Sequence, residues 1–419
     1  MHTRLYAYLV VFAIAGCDGQ THTIRVYENR ASHSGRQIDL HVVVLPARGR
    51  PVEADPVVVL TGGPGAAAAA AARDWARMTR LRAHRDIVLL DQRGTGKSAP
   101  LFCHLYDTGR LQPFLDPMFP LDRVRSCRAQ LERQADLTQY TTDIAADDLD
   151  QVLSTLGYAR ANFFGISYGT RAALVFLRRH PDRVRSIIAT AVLPPDRVPF
   201  DYPAAIVRAL AAADTGHVVD TAMARLRRAP VTVTLWNWPH LRRETVTMTA
   251  RGFAERMFSM LYVPSRGRRA VGLVRQGLAG DWVPFVKAAI FQSRWQKEGR
   301  WTGMTLSVLC TGDAERLARA DTARLAATGP LGLPIAYELV AACAEWPHGA
   351  VSVDDTLPVT STAPVLFLSG GLDPGTPPEW ADSAAAHLPN SRHIVDPTAG
   401  HGFLTDETMA RIAAFIDSP

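Results

Sequence analysis

The sequence predicts an α/β fold in which a mostly parallel central sheet carries helices on both faces and receives an inserted, mainly helical cap. Three observations point there. Short β-branched and apolar runs alternate with helix-like stretches over the first half of the chain. The runs are nearly continuous in apolar character, as strands covered on both faces require. A long interval of different character then separates the early runs from the last two.

The strand-like runs are Asp39 to Leu45, Val57 to Leu60, Ile87 to Leu90, Asn162 to Ile166 and Ser186 to Val192, followed after the interval by Val365 to Ser369 and His393 to Val395. Between Pro194-Pro195 and about Asp355 the pattern is helical, as in Ala204 to Ala213 and Arg269 to Leu278. It is broken only by Val231-Thr-Val-Thr-Leu and Thr245-Val-Thr-Met-Thr, which read as a small hairpin. Residues 1–16 thus read as a signal peptide, 17–194 and 356–419 as the two parts of the core, and 195–355 as the cap. Trp236, Trp238, Trp282, Trp295, Trp301 and Trp346 all fall in the cap. They are expected mostly to fill its interior, with one or two lining an apolar substrate pocket.

With 47% hydrophobic and 21% charged residues, the composition is that of an ordinary globular protein. The formal charge of +6 comes almost entirely from Arg, and the densest cluster, Arg266, Arg268 and Arg269, is not a basic stripe on a recognition module. Nucleic acid is therefore excluded as a partner.

At the N-terminus, His2 and Arg4 precede an apolar run from Leu5 to Ile14 and then Ala15-Gly16-Cys17. Such a run is short for a membrane span and suits an export signal. The small residues before Cys17 resemble a bacterial lipobox, so the expectation is an exported protein on the periplasmic or cell-surface side, acylated at Cys17 and held to the membrane by that lipid. Setting Cys17 aside leaves Cys103, Cys127, Cys310 and Cys343, an even set that suits an oxidising compartment. Nearest-neighbour pairing, Cys103 with Cys127 and Cys310 with Cys343, keeps each bridge within one local unit. Their spacings do not match zinc-ligand pairs, so no metal and no other cofactor is expected.

Gly165-Ile-Ser167-Tyr-Gly169 matches the Gly-x-Ser-x-Gly turn that presents a nucleophilic serine between a strand and a helix, and it sits between such segments. A serine hydroxyl needs a base near neutral pKa and a carboxylate to orient that base. In the order Ser, acid, His, the candidates are Asp373 in Gly370-Gly-Leu-Asp-Pro and His401 in Ala399-Gly-His-Gly-Phe, each just after a strand-like run. Asp382 and Asp396 are weaker alternatives for the acid. Backbone donors for the oxyanion are expected from Tyr168 and from the Gly62-Gly63-Pro64-Gly65 turn, with Gly63 favoured over Gly62. Arg93-Gly-Thr-Gly-Lys-Ser98 superficially suggests a phosphate loop, but Asp91 stands where that pattern requires Gly. Asp91 and Arg93 read instead as braces for neighbouring loops.

Taken in order, Gly62-Gly-Pro-Gly65, Asp91-Gln-Arg-Gly-Thr-Gly96, Gly165-Ile-Ser-Tyr-Gly-Thr170, Leu372-Asp-Pro-Gly-Thr376 and Gly400-His-Gly402 resemble the proline iminopeptidase and tripeptidyl aminopeptidase branch of the α/β-hydrolases. The resemblance implies a peptidase that removes residues or short peptides from free N-termini, with cap carboxylates receiving the substrate's ammonium. It also implies that Thr376 supports the active site. Two departures stand out: Thr61 replaces a common His, and Cys310-Thr-Gly-Asp313 looks like the family's Cys-x-Glu-Asp with Gly312 in place of Glu. Amine recognition would then fall to Glu345 or, second, to Asp313. Without it, the same chemistry would serve an esterase acting on small or lipid-like esters.

Overall fold

The computed structural model describes residues 12–13, 19–298, 301–319, 331, 333–402 and 404–419. Apart from Phe12–Ala13, the expected signal peptide lies outside these residues, as does Cys17. The strands are β1 (Phe12–Ala13), β2 (Gln20–Tyr27), β3 (Gln37–Leu45), β4 (Val57–Leu60), β5 (Ile87–Leu90), β6 (Ala161–Ile166), β7 (Val184–Thr190), a separate hairpin β8 (Val231–Asn237) and β9 (Arg242–Met248), then β10 (Val365–Gly370) and β11 (Ser391–Asp396). The large sheet has the order β1-β2-β3-β5-β4-β6-β7-β10-β11. From β5 through β11 its neighbours are parallel, while β2 and β3 join antiparallel at one edge. Each run expected to form a strand does so, and β2, which the sequence pattern did not reveal, extends the sheet.

Side-chain alternation explains why the parallel strands need both faces covered. Phe163, Ile187 and Phe367 point into one apolar cluster with the helices Thr142–Leu156 and Tyr168–Arg179, whereas Phe164, Ile188 and Leu366 point into another with the C-terminal helix Asp406–Asp417. Phe163, Phe164 and Phe367 are fully buried, so truncating any of them to Ala would cost about 3–5 kcal/mol. The helix Thr142–Leu156 starts where Thr141 accepts a hydrogen bond from Ile144 N, and it stops at Gly157, whose φ of 83° suits a left-handed cap.

Asp91 and Arg93 act as the expected braces. The Arg93 guanidinium, with no exposed surface, donates to both carboxylate oxygens of Asp148 at 2.6 and 2.8 Å and to the carbonyls of Glu28 and Gln139. Asp91 accepts from Ala69 N at 2.9 Å and Lys97 N at 3.1 Å and pairs with His41 Nδ1. Together they tie the loop after β5 to the segment following β4. The disulfides Cys103–Cys127 and Cys310–Cys343 form as nearest-neighbour pairing predicts.

The chain leaves the sheet after β7 and returns at β10, and the expected hairpin forms in between. The insertion is not one packing unit, however. Its first part, with Ile206, Phe253, Val274 and Phe285, builds a cluster of its own, whereas Met304, Leu309, Leu339 and Trp346 pack into the main cluster of the core. The tryptophans divide accordingly. Trp282 fills the cap's cluster and Trp346 the main one, donating to Ser307 Oγ at 3.0 Å, but Trp236 and Trp238 are exposed rather than interior. No helix among the described residues is long and apolar enough to cross a membrane.

Candidate active site

Ser167 occupies the junction between β6 and the helix Tyr168–Arg179 with φ 57° and ψ −123°, a region sterically costly for a residue with a side chain. The flanking glycines make the turn possible. A Cβ on Gly165 would sit 2.7 Å from Gly169 O and 2.8 Å from Thr170 Cα, and one on Gly169 would collide with Leu60 O of β4. Backbone bonds fix the turn: Ser167 N donates to Thr190 O of β7 at 3.0 Å, and Thr170 donates to Ser167 O through both N (2.9 Å) and Oγ1 (2.6 Å). Thr170 Oγ1 in turn accepts from Leu193 N at 2.8 Å.

The turn after β4 lies directly against the serine. A Cβ on Gly62 would be 3.0 Å from Ser167 Cβ, and Gly63 has φ 122°, a conformation open essentially to glycine alone. Among the described residues, the N–H groups of Gly63 and Tyr168 donate no hydrogen bond within the chain. The glycine turn is also held from the insertion: Trp301 N donates to Gly65 O at 3.0 Å and Thr305 Oγ1 to Pro64 O at 2.7 Å.

Asp373 follows β10 and is completely buried. One of its oxygens accepts from Gly375 N (2.8 Å) and Thr376 N (3.0 Å). The other meets Thr376 Oγ1 at 2.7 Å and His401 Nδ1 at 2.8 Å. His401, after β11, is thereby oriented through Nδ1, which leaves Nε2 to act elsewhere. Neither Asp382 nor Asp396 competes for this role: Asp382 pairs with His393 at 2.7 Å, and Asp396 is taken up by Thr398 and Ala399 within its own turn. Because β6, β7, β10 and β11 are parallel neighbours, Ser167, Asp373 and His401 all lie at the carboxyl edge of one sheet. No hydrogen bond joins Ser167 Oγ to His401 among the described residues.

The cap contributes a residue that sequence reasoning missed. Tyr262, just after the helix Ala250–Leu261, accepts His401 N through its carbonyl at 2.8 Å, and its ring meets the imidazole edge-on with centroids 4.7 Å apart. Nothing in the local sequence marks it, because the contact exists only once the cap folds back on the core. A second tie comes from Arg208, which donates to Gly371 O, in the loop that carries Asp373, at 2.9 Å and pairs with Glu379.

This arrangement is the α/β-hydrolase plan, and the family comparison agrees. A model described as "alpha/beta hydrolase fold" matches residues 55–218, and one described as "TAP-like protein" matches residues 332–418. The chain has the α/β-hydrolase fold. Its similarities fall in the tripeptidyl aminopeptidase and proline iminopeptidase branch. Tripeptidyl aminopeptidase from Streptomyces lividans is 31% identical over 129 residues, covering 28% of this chain and 24% of that protein. Proline iminopeptidase from Neisseria meningitidis is 27% identical over 162 residues, covering 38% of this chain and 40% of that protein. The chain thus matches well under half the length of either relative. A solved proline iminopeptidase from Mycobacterium smegmatis aligns over 94% of this chain and 97% of its own at 18% identity, with a TM-score of 0.42.

The two carboxylates that the sequence offers for amine binding, Glu345 and Asp313, are already engaged. Glu345 lies toward solvent, where its carboxylate accepts from Arg125 at 2.6 Å, a contact that holds its pKa below the ordinary carboxylate value. Asp313 is buried and ion-paired with Arg171 of the helix Tyr168–Arg179, which stands one turn beyond Ser167 and also donates to Arg197 O. Neither offers a free carboxylate. Arg125 and Arg171 are far from their partners in sequence, so neither pairing could be read from local pattern. Two other carboxylates of the insertion, Glu255 and Glu338, are buried and pair with the buried Arg256 and the exposed Arg251, and burial followed by the hydrogen-bonded Glu338 pushes the Glu255 pKa up to about 8. Glu338 also accepts from Met118 N at 2.7 Å.

Proposed function

We propose that this α/β-hydrolase is a serine hydrolase that cleaves peptide bonds at free N-termini through an acyl-enzyme, with Ser167 as nucleophile, His401 as general base and Asp373 as its partner. The observation that carries the reading is the strained Ser167 turn on the same sheet edge as the buried Asp373 and the His401 it orients. In this reading Ser167 Oγ attacks the scissile carbonyl carbon while His401 Nε2 takes its proton, and Asp373 stabilises the resulting imidazolium. The oxyanion is received by the N–H groups of Gly63 and Tyr168, which belong to turns fixed before substrate arrives. Collapse breaks the C–N bond, and His401 returns the proton to the departing amine. Water, deprotonated by His401, then attacks the acyl carbon and releases Ser167.

Aminopeptidase action is supported by the names of the relatives, and export through a signal peptide with a lipid on Cys17 is part of the same proposal. The two disulfides fit an oxidising compartment. A second reading, a carboxylesterase for small or lipid-like esters, is favoured by one observation: Asp313 and Glu345 are both neutralised by arginines. One experiment separates them. Aminoacyl and tripeptidyl chromogenic amides, each with a free or N-acetylated terminus, are compared with short-chain esters. The aminopeptidase reading expects free-amine amides to be cleaved with the higher kcat/KM. Preference for acetylated amides, or turnover of esters alone, transfers the assignment to the esterase.

A further inference from the structure

The hairpin of the insertion changes character along its length. Its inward positions Leu235, Val246 and Met248 are buried in the cap's apolar cluster. Its outward face begins with exposed Thr232, Thr234 and Thr245, the ordinary polar surface of a half-buried ribbon. At the tip that pattern is abandoned: Trp236 is 43% exposed, Trp238 73% and Leu241 71%. The two indoles touch edge to face with centroids 5.7 Å apart, so they form one apolar knob.

The tip is firmly held. Glu244 accepts from Leu111 N at 2.8 Å, Asn237 Nδ2 at 2.9 Å and Arg242 Nε at 2.6 Å, and Asn237 also donates to Gly109 O. Everything beyond that clamp projects. Leu241 moreover has φ 47°, a left-handed position where Gly or Asn is ordinarily favoured. Folding the turn does not call for a leucine there, and neither does packing, because the side chain is exposed.

Charge indicates what the knob meets. His240, Arg242, Arg243 and Arg110 are all exposed around it. Glu244 is consumed by the clamp, Asp107 accepts from Gly109 N, and among the described residues Arg110 and Arg243 have no acidic partner. A convex aromatic and aliphatic tip ringed by arginines suits a soft anionic surface: indoles settle at the headgroup level, leucine reaches the acyl boundary, and guanidinium groups stay with phosphate.

We propose that the β8–β9 tip is a membrane-docking element, inserting Trp236, Trp238 and Leu241 into the headgroup region of an anionic bilayer. The contact is separate from catalysis and from any lipid on Cys17. It would hold the cap, not merely the N-terminus, against the membrane.

The test uses the full chain carrying Cys17→Ser, so that no acyl anchor contributes, with vesicles of phosphatidylcholine, either alone or with about 30% phosphatidylglycerol, the anionic component supplying the surface potential. Hydrogen exchange of peptides spanning residues 236–243 should slow on the anionic vesicles. Replacing Trp238→Ser and Leu241→Ser together should abolish that local protection and weaken binding at least tenfold, while turnover of a small soluble substrate stays unchanged. Vesicle-bound protein whose hairpin exchanges at its free rate overturns the proposal. So does a double variant that binds within twofold of its Cys17→Ser parent. Hairpin protection that rises with protein concentration in the absence of vesicles also overturns it, assigning the tip to a second copy of this chain.

Discussion

Thr376 donates its hydroxyl to Asp373 at 2.7 Å and stands 3.1 Å from His401 Nδ1, so one side chain touches both partners of the Asp373–His401 pair. With the N–H groups of Gly375 and Thr376 on the other carboxylate oxygen, it fixes the plane in which Asp373 meets the imidazole. Thr376→Val keeps the shape and removes the donor. A hydrogen bond to a charged group contributes about 1.5–3 kcal/mol, so kcat should fall roughly tenfold to a hundredfold. KM should change little, and Thr376→Ser should restore most of the rate. A valine variant with native kcat would show that the hydroxyl does not position Asp373.

Ser167→Ala should abolish turnover of amides and esters alike while leaving the fold intact, because the small side chain relieves rather than adds crowding at the turn. A fluorophosphonate should label the native protein and not the variant. Residual hydrolysis within tenfold of native would remove Ser167 from the mechanism.

The core strands were legible because parallel strands buried on both faces need continuous apolar runs, and Val57–Leu60 and Ile87–Leu90 have them. The antiparallel edge strand Gln20–Tyr27 escaped, since alternation with a half-exposed face dilutes that signal. Asp373 and His401 were legible as glycine-flanked loops after strands. Tyr262, and the arginines that occupy Asp313 and Glu345, depend on contacts across the folded chain and leave no local mark.

Those arginine pairs make opposite predictions for two carboxylates. Asp313→Asn leaves Arg171 buried without its counter-charge, which should destabilise the protein by roughly 3–5 kcal/mol and lower Tm markedly. Glu345→Gln alters only a solvent-facing pair and should leave Tm and free-amine amide turnover at native values. Thermal melts and kcat/KM for the two variants side by side check this. A selective loss of free-amine cleavage in Glu345→Gln would restore it as the amine binder.

Cys310 and Cys343 lie 33 residues apart and join the helices Thr302–Cys310 and Leu333–Cys343 within the main cluster. By loop-closure entropy, a crosslink of this span is worth about 3–4 kcal/mol. Replacing both cysteines by Ala should therefore lower the denaturation midpoint substantially. Because Trp301 and Thr305 of the same segment hold the glycine turn beside Ser167, kcat should fall as well. Measuring both at a temperature where the variant is still folded separates the two effects. A large stability loss with native kcat would mean that the turn keeps its geometry without the bridge.

Asp143, in the first turn of the helix Thr142–Leu156, lies beside Asp355, and burial first, then that neighbouring carboxyl group, push its pKa up to about 6. Arg179 and Arg178 oppose the rise, but Arg179 is engaged by Asp147, and Arg178 by the carbonyls of Asp354 and Leu357. Between its unfolded value near 3.8 and about 6, the folded protein therefore holds a proton that the unfolded chain has released. The native state binds more protons in that window, so this group's contribution to stability falls as pH rises through it and is constant above. Asp143→Asn removes the cost of charging a half-buried carboxyl group next to another. Its Tm should exceed that of the native protein at pH 7.5, and the gap should close as pH drops below 4. Loss of the favourable first-turn charge works against the gain, by about 0.3–1 kcal/mol, and does not depend on pH above 6. Parallel Tm–pH curves for the two proteins would show that Asp143 titrates as an ordinary surface carboxylate.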